Sequence, residues 1–292
     1  MLEEILTVLV DAVIGGADRI LAVKRSGWIE THYKSECELV TTADEASDKA
    51  IRDIFSTRFP SIDSEISFHL EESGISGISG HGIQKRAGAD PLDGTNHFAA
   101  GGQYYSVQAH YIEDGVPMCG VVFQPEAFLP LAETSKCVGR LVYAIRGEGA
   151  YKERTEFTGK GFVRADPQRI EKLSLPATRS FVACVPLSTK MTADERLAVQ
   201  RVYDSGAISV TTGVGGAGAN ILMTIFGGQH VYANFGAGED LDLIPPQVIA
   251  EETGMVVWGR DRTSPRWHTT KQPIIVAPNP QIAERFLQLA GI

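Results

Sequence analysis

The chain has 292 residues, 43% of them hydrophobic, with a formal net charge of −9 and a pI near 5.3. Such a chain suits one large domain or two closely packed ones, and its charge disfavours a broad electrostatic grip on nucleic acid or an anionic membrane; an anionic substrate would need bound cations to hold it. Cys37, Cys119, Cys137 and Cys184 are widely spaced without a Cys-x-x-Cys pair, the pattern of reduced buried thiols in a cytoplasmic protein rather than of a zinc knuckle or a disulfide scaffold.

The N-terminus opens with Glu3 and Glu4, and no apolar run approaches the roughly 18 residues of a spanning helix, so no export or membrane signal is read. Leu2, Ile5, Leu6, Leu9, Val10 and Val13 recur at helical spacing, and a second helical pattern runs from about Ala43 to Phe59, where Pro60 is expected to stop it. From about Glu65 the texture changes to short apolar stretches between Gly and Pro: SEISFHL, YYSVQAHYI, MCGVVF, RLVYAI and GAYKE, with Asp114-Gly115 as a hairpin turn. After about residue 170 strand-like SFVACV, ISVTT, QHVYAN and IIVAP alternate with helical runs near Ala193 to Tyr203, from Ala217, near Pro246 to Glu252, and at the C-terminus. The predicted class is α/β, with an α+β half over 1–150 and an α/β half over 151–292. No polar linker separates the halves, so a cleft between them is the default place for a site.

Asp90-Pro91-Leu92-Asp93-Gly94-Thr95 is the most informative stretch. Two acids three apart on a Pro- and Gly-shaped turn can aim both carboxylates, with the Leu92 carbonyl between them, at one hard cation, and Mg²⁺ typically shares such ligands with substrate phosphate oxygens. Gly94 and Thr95 would then start a helix or turn whose N–H groups face an anion. On these six residues alone, a plain Asx turn capping a helix explains the motif equally well. Glu71 and Glu72 end a strand-like run, where alternation lets only one of them face a cleft. Asp44 starts the second helix, and Asp242 sits shortly before the helix that contains Val248 to Glu252; singly, each reads as a helix cap or a solvated acid.

Taken in order, these acids resemble the signatures of the inositol monophosphatase superfamily, which also includes nucleotide 3′-phosphatases and fructose bisphosphatases. Lys34 precedes Leu39-Val40-Thr41-Thr42-Ala43-Asp44; Glu71-Glu72-Ser73, DPLDGT at 90–95, and Asp242 with Ile249, Glu252 and Gly254 follow. Weaker echoes are GVVFQPE at 120–126, RGEGAYKE at 146–153 and GGAGAN at 215–220. The resemblance implies a layered αβαβα sandwich, a homodimer, and two or three Mg²⁺ ions that act on a small-molecule phosphate ester. It implies that Glu71, Asp90 and the Leu92 carbonyl hold one metal, and that Asp90, Asp93 and Asp242 hold a second. Asp44 and Thr95, with Glu71, would form the catalytic set that orients and deprotonates the attacking water. Gly94 and Thr95 would bind phosphate, and Asn96, Gly216, Ala217 and Asn234 the alcohol half. Related enzymes are inhibited by Li⁺, and the same is implied here. The departures fall on the substrate side: Leu241 replaces the family's Trp, Ile244-Pro245-Pro246 replaces Ala-Ala-Gly, His97 stands at an Asn position, and Asn234 replaces an inositol-binding glutamate. Metal chemistry survives these changes, whereas inositol specificity does not follow. A small sugar or polyol phosphate is favoured over adenosine 3′,5′-bisphosphate, because the loops lack an aromatic and basic cluster.

Two rival readings remain. Gly213-Val214-Gly215-Gly216-Ala217-Gly218 fits G-x-G-x-x-G between a strand-like and a helical run, with Glu239 beyond, as in a dinucleotide fingerprint. A phosphatase-like protein that only binds a partner is the other, and its cue would be a lost acid. His97 and His230 lack the spacing of a metal pair.

Overall fold

In the computed structural model, which describes residues 1–35, 38–76, 84–128, 137–173, 181–187, 191–206, 208–211, 213–236, 239–259, 261–267 and 272–292, the first helix is twice as long as its opening stripe indicates. α1 (Leu2–Ser26) buries Ile5, Val8, Leu9, Ala12, Val13, Ala17 and Ile20, three or four apart, and ends at Gly27, whose φ of 70° suits glycine. A short antiparallel pair, β1 (Thr31–Ser35) and β2 (Glu38–Thr41), leads into α2 (Thr42–Ile62). Thr41 and Asp44 form a reciprocal capping box that starts α2. Pro60 does not stop this helix. It lies exposed in the last turn, where it removes one hydrogen bond, and the Asp63 N–H still reaches the Phe59 carbonyl at 2.8 Å.

A nine-stranded sheet follows. Its strands are β3 (Ser67–Leu70), β4 (Gly74–Ser76), β5 (Lys85–Asp93), β6 (Ser106–Glu113), β7 (Val116–Phe128), β8 (Val138–Ile145), β9 (Gly149–Phe157), β10 (Phe162–Arg164) and β11 (Gln168–Arg169), with α3 (Thr95–Ala99) between β5 and β6. The order is β10-β9-β8-β7-β6-β5-β3-β4, with β11 beside β9, and only β3 and β5 run parallel. The β6–β7 hairpin turns at Asp114-Gly115, both at positive φ, as the sequence indicates. Residues 149–169 stay in this sheet because β9 pairs with β8 across a tight turn. The chain thus leaves the first sheet after Arg169, not at residue 150.

The second sheet has five strands, β12 (Phe181–Cys184), β13 (Ile208–Thr211), β14 (Val231–Asn234), β15 (Val256–Trp258) and β16 (Ile274–Ala277), in the order β13-β12-β14-β16-β15. Its helices are α4 (Ala193–Asp204), α5 (Ala217–Ile225), α6 (Asp240–Glu252) and α7 (Pro280–Ala290). Three buried clusters define the layers: α1 and α2 cover one face of the large sheet, α5 and α6 lie between the sheets, and α4 and α7 cover the outer face of the small one. This is the αβαβα sandwich.

α6 begins six residues earlier than the sequence suggests, because its two prolines, Pro245 and Pro246, are inside it rather than before it. They are tolerated where α6 lies unusually close to the sheet. Along one row of the sheet, Gly88, His110, Gly120, Ala144 and Ala150 stand side by side, mostly small residues. A Cβ on Gly120 would come within 2.2 Å of the Pro245 carbonyl oxygen. Glu252, near the C-terminal end of α6, accepts hydrogen bonds at 2.8 Å from Gly147 N and Gly149 N, which fastens the β8–β9 turn to the same helix. Among the described residues, Cys119, Cys137 and Cys184 form no disulfide; Cys119 and Cys184 are buried and Cys137 is half-buried. Cys37 lies outside the described residues.

Candidate active site

Asp90 and Asp93 belong to the last turn-like stretch of β5 rather than to a free turn. On a regular strand, residues three apart point to opposite faces. Here Asp90 is opposite Gln108 and Asp93 opposite Ser106, so three steps on β5 meet two on β6. That extra residue is a bulge, which re-aims Asp93 to the side of Asp90 and is the place where a strand accommodates Pro91. The bulge is braced by Ser47 Oγ, which donates to the Pro91 carbonyl at 2.8 Å, and by Leu92 N–H, which donates to Asp90 Oδ1 at 2.8 Å. The Asx turn is therefore present, and it serves to aim an acid.

Asp242, in the first turn of α6, completes a group: carboxylate oxygens of Asp90, Asp93 and Asp242 all lie within 4.8 Å of one another. Glu71 follows β3 on a turn, close enough to exchange a carboxyl–carboxyl hydrogen bond with Asp90. Contrary to strand alternation, Glu71 and Glu72 face the same cation: Lys34 Nζ lies 3.4 Å from Glu71 Oε1 and also donates to Glu72. Burial, and then repulsion among these acids, holds Asp90 and Asp242 well above the usual carboxylate range. Asp93, also buried, is pushed up to about 6 although three donors pull it down. Burial pushes Glu72 up to about 7 against the pull of Lys34. Asp90, Asp93 and Asp242 have no Lys or Arg ion pair among the described residues, so a hard cation is the partner this donor set fits.

Asp93 also ties the two halves of the chain together. Its Oδ1 accepts from Ala217 N at 2.9 Å, and its Oδ2 accepts from Gly218 N and from Ser106 Oγ, both at 2.9 Å. The glycine-rich stretch at 213–218 does lead a strand into a helix, but the helix N-terminus that would receive a pyrophosphate is filled by this carboxylate. A dinucleotide reading of the stretch fails for that reason. Gly216 and Ala217, expected to contact substrate, touch Asp93. A Cβ on Gly216 would lie 1.8 Å from Asp93 Oδ1. The Gly216→Ala variant is accordingly expected to displace α5 from Asp93, lower the melting temperature by several degrees and depress metal binding; calorimetric melting with and without Mg²⁺ checks this. Ser106 and Gly218 were not legible as site residues, because their partner Asp93 is distant in sequence and nothing local marks them.

Asp44 and Thr95 meet beside this cluster. Thr95 Oγ1 lies 2.9 Å from Asp44 Oδ1 and 3.0 Å from the Leu92 carbonyl oxygen, while Asp44 Oδ2 accepts from Thr41 N at 2.8 Å and Thr41 Oγ1 at 2.6 Å. Burial raises the pKa of Asp44, and its hydrogen bonds from Thr41 and Thr95 partly oppose this. Gly94, at φ 100°, precedes α3 with no room for a side chain, since a Cβ there would be 3.0 Å from Gly216 N and from the Tyr104 carbonyl oxygen. Asn96 is exposed on α3, and Asn234, half-buried at the end of β14, accepts from Gly236 N at 3.3 Å. His230 Nδ1 accepts from Val182 N at 3.1 Å, a structural role. Of the loops 97–105, 184–190 and 213–240, on which recognition of the alcohol half is expected to depend, residues 188–190, 237 and 238 lie outside the described residues.

A layered αβαβα sandwich with an acidic metal site between its sheets defines a class of metal-dependent phosphatase folds. Residues 1–291 match the inositol monophosphatase family, and the chain belongs to it. Inositol monophosphatase 1 of Solanum lycopersicum is 25% identical over 294 residues, covering 98% of this chain and 94% of that protein. Nus factor SuhB of Pasteurella multocida is 31% identical over 122 residues, 42% of this chain, and the match spans only 39% of that relative. Among solved structures, the extragenic suppressor protein SuhB of Bartonella henselae superposes with a TM-score of 0.75 at 19% identity, covering 98% of both chains. An IMPase/NADP phosphatase complexed with Mg²⁺ and phosphate superposes with a TM-score of 0.68 at 19% identity, covering 94% of this chain and 90% of that one.

Proposed function

We propose that this protein is a Mg²⁺-dependent phosphatase that hydrolyses a monoester of a small polyol or sugar, inositol monophosphate among them. The observation that carries this reading is the convergence of Asp90, Asp93 and Asp242 beside the Asp44–Thr95 pair. Asp90, Asp93 and Asp242, with Glu71 and the Leu92 carbonyl, would hold two or three Mg²⁺ ions. Bound there, Mg²⁺ neutralises phosphate charge, lowers the pKa of a water and stabilises the leaving oxygen. Thr95 Oγ1 orients the attacking water and passes a proton to Asp44 Oδ1, whose other oxygen is fixed by Thr41. The amides of Gly94 and Thr95 hold the phosphate, and Asn96 and Asn234 face the alcohol half.

Phosphate release with Mg²⁺ from inositol 1-phosphate, fructose 1,6-bisphosphate, adenosine 3′,5′-bisphosphate, histidinol phosphate and sugar phosphates tests this. Activity on a polyol or sugar ester that disappears in EDTA and falls with Li⁺ is expected; full turnover in excess EDTA would defeat the reading. A preference of about tenfold for adenosine 3′,5′-bisphosphate, roughly 1.4 kcal/mol in transition-state binding, would make the protein a nucleotidase instead. The partial match to a Nus factor also keeps open a binding role on the same scaffold, against which stands the presence of every expected acid. A homodimer is part of the same proposal, checked by light scattering.

A further inference from the structure

Arg86 and Asp240 lie outside the acids already assigned, yet they join the two elements that carry them. Arg86 is on β5, on the same face as Gly88 and Asp90. Asp240 opens α6, two residues before Asp242, and is 1% exposed. The guanidinium donates to Asp240 Oδ2 at 2.9 Å, and Asp240 Oδ1 accepts from Leu241 N at 3.0 Å. Between these ends, Leu241 sits over Gly88, where a Cβ would come within 2.9 Å of its Cδ2. Asp242 then reaches Asp90. Three consecutive residues of α6 thus meet three alternate residues of β5: Asp240 on Arg86, Leu241 on Gly88, Asp242 on Asp90.

We propose that the part-buried Arg86–Asp240 ion pair is a positioning device that sets the rotation of the first turn of α6 and so holds Asp242 in range of Asp90 and Asp93 for the metal. Residues two apart on a helix do not point the same way, so a helix end with a single anchor on β5 could turn Asp242 away. The pair supplies the second anchor. The neighbouring groups leave Arg86 little choice of partner: His110, buried with both ring nitrogens unpartnered, is kept neutral by burial and by Arg86 itself.

The inference rests on the metal-site reading, and Mg²⁺ titration calorimetry separates the two. The Arg86→Met/Asp240→Asn double variant removes the pair without leaving a buried charge. It is expected to fold, as far-UV circular dichroism would show, and to need about tenfold more Mg²⁺ for half-saturation, the usual scale for a partner behind a metal ligand. Arg86→Lys, which keeps the charge, should recover most of the affinity. Arg86→Met alone leaves Asp240 unopposed near the cluster. If Arg86 acted only through charge, this single variant would bind Mg²⁺ more tightly and the double variant would match the parent. Either result, in folded protein, overturns the proposal. Failure of the parent chain itself to bind Mg²⁺ would remove the metal-site reading and this inference with it.

Discussion

Replacing Asp93 by asparagine is expected to lower kcat/KM for the phosphate ester by on the order of 10³-fold or more, about 4 kcal/mol of transition-state stabilisation. Two losses coincide at this residue. The cation site loses one of its three convergent carboxylates. The amide also cannot accept at both ends: Ala217 N donates to one oxygen of Asp93, and Gly218 N and Ser106 Oγ donate to the other. Whichever way the side chain turns, an NH₂ meets a backbone N–H, donor against donor, at a buried position. A destabilisation of about 1–3 kcal/mol should accompany the loss of activity. Phosphate release at saturating Mg²⁺, with thermal melting of the same preparation, checks both. Activity within tenfold of the parent would remove Asp93 from the catalytic machinery, and lost activity with partner binding intact would bear on the binding role.

The metal-free protein should be more stable near pH 5 than near pH 8, the opposite of what salt-bridged carboxylates produce. Asp93 has its folded pKa pushed up to about 6, and Asp90 and Asp242 are raised well above 3.8. At pH 8 Asp93 is ionised in both the folded and the unfolded chain, so the folded state bears the full cost of burying its charge. As pH falls through about 6, folded Asp93 takes up its proton and the cost is relieved; the gain ends near pH 4, where the unfolded chain protonates as well. For Asp93 alone the difference between pH 5 and pH 8 is about 1.4 kcal/mol, since about one pH unit of that window lies below its folded pKa, at 1.36 kcal/mol per unit. In a chain of this size that corresponds to roughly 3–5 °C in melting temperature. Mg²⁺ binds the ionised form, so it should raise the melting temperature much more at pH 8 than at pH 5. Activity should fall in acid for the same reason. Calorimetric melting at both pH values, in EDTA and in Mg²⁺, reads all of this; a metal-free protein more stable at pH 8 would show that the acids are compensated from within.

Local chemistry determined much of this protein. The stripe from Leu2 to Val13, Asp44 at the start of the second helix, and the Asp114-Gly115 turn act over a few residues, and each lies in the kind of element its side chains indicated. The ordered acids were legible too, because a hard cation takes oxygen ligands and carboxylates supply them whatever the fold around them. Element ends were less so: Pro60 and Pro245-Pro246 mark a break by intrinsic preference, but a proline costs a helix little where the lost bond is exposed or where packing against Gly120 holds the turn. Only the tertiary structure decided that a bulge turns Asp93 to the side of Asp90, that the 213–218 glycines serve Asp93 instead of a dinucleotide, and that Arg86 meets Asp240 across 154 positions of sequence. The reason is the same each time. Whether a carboxylate caps a helix, pairs with an arginine or faces a cation depends on which groups share its burial, and those groups come from strands and helices far apart in the chain.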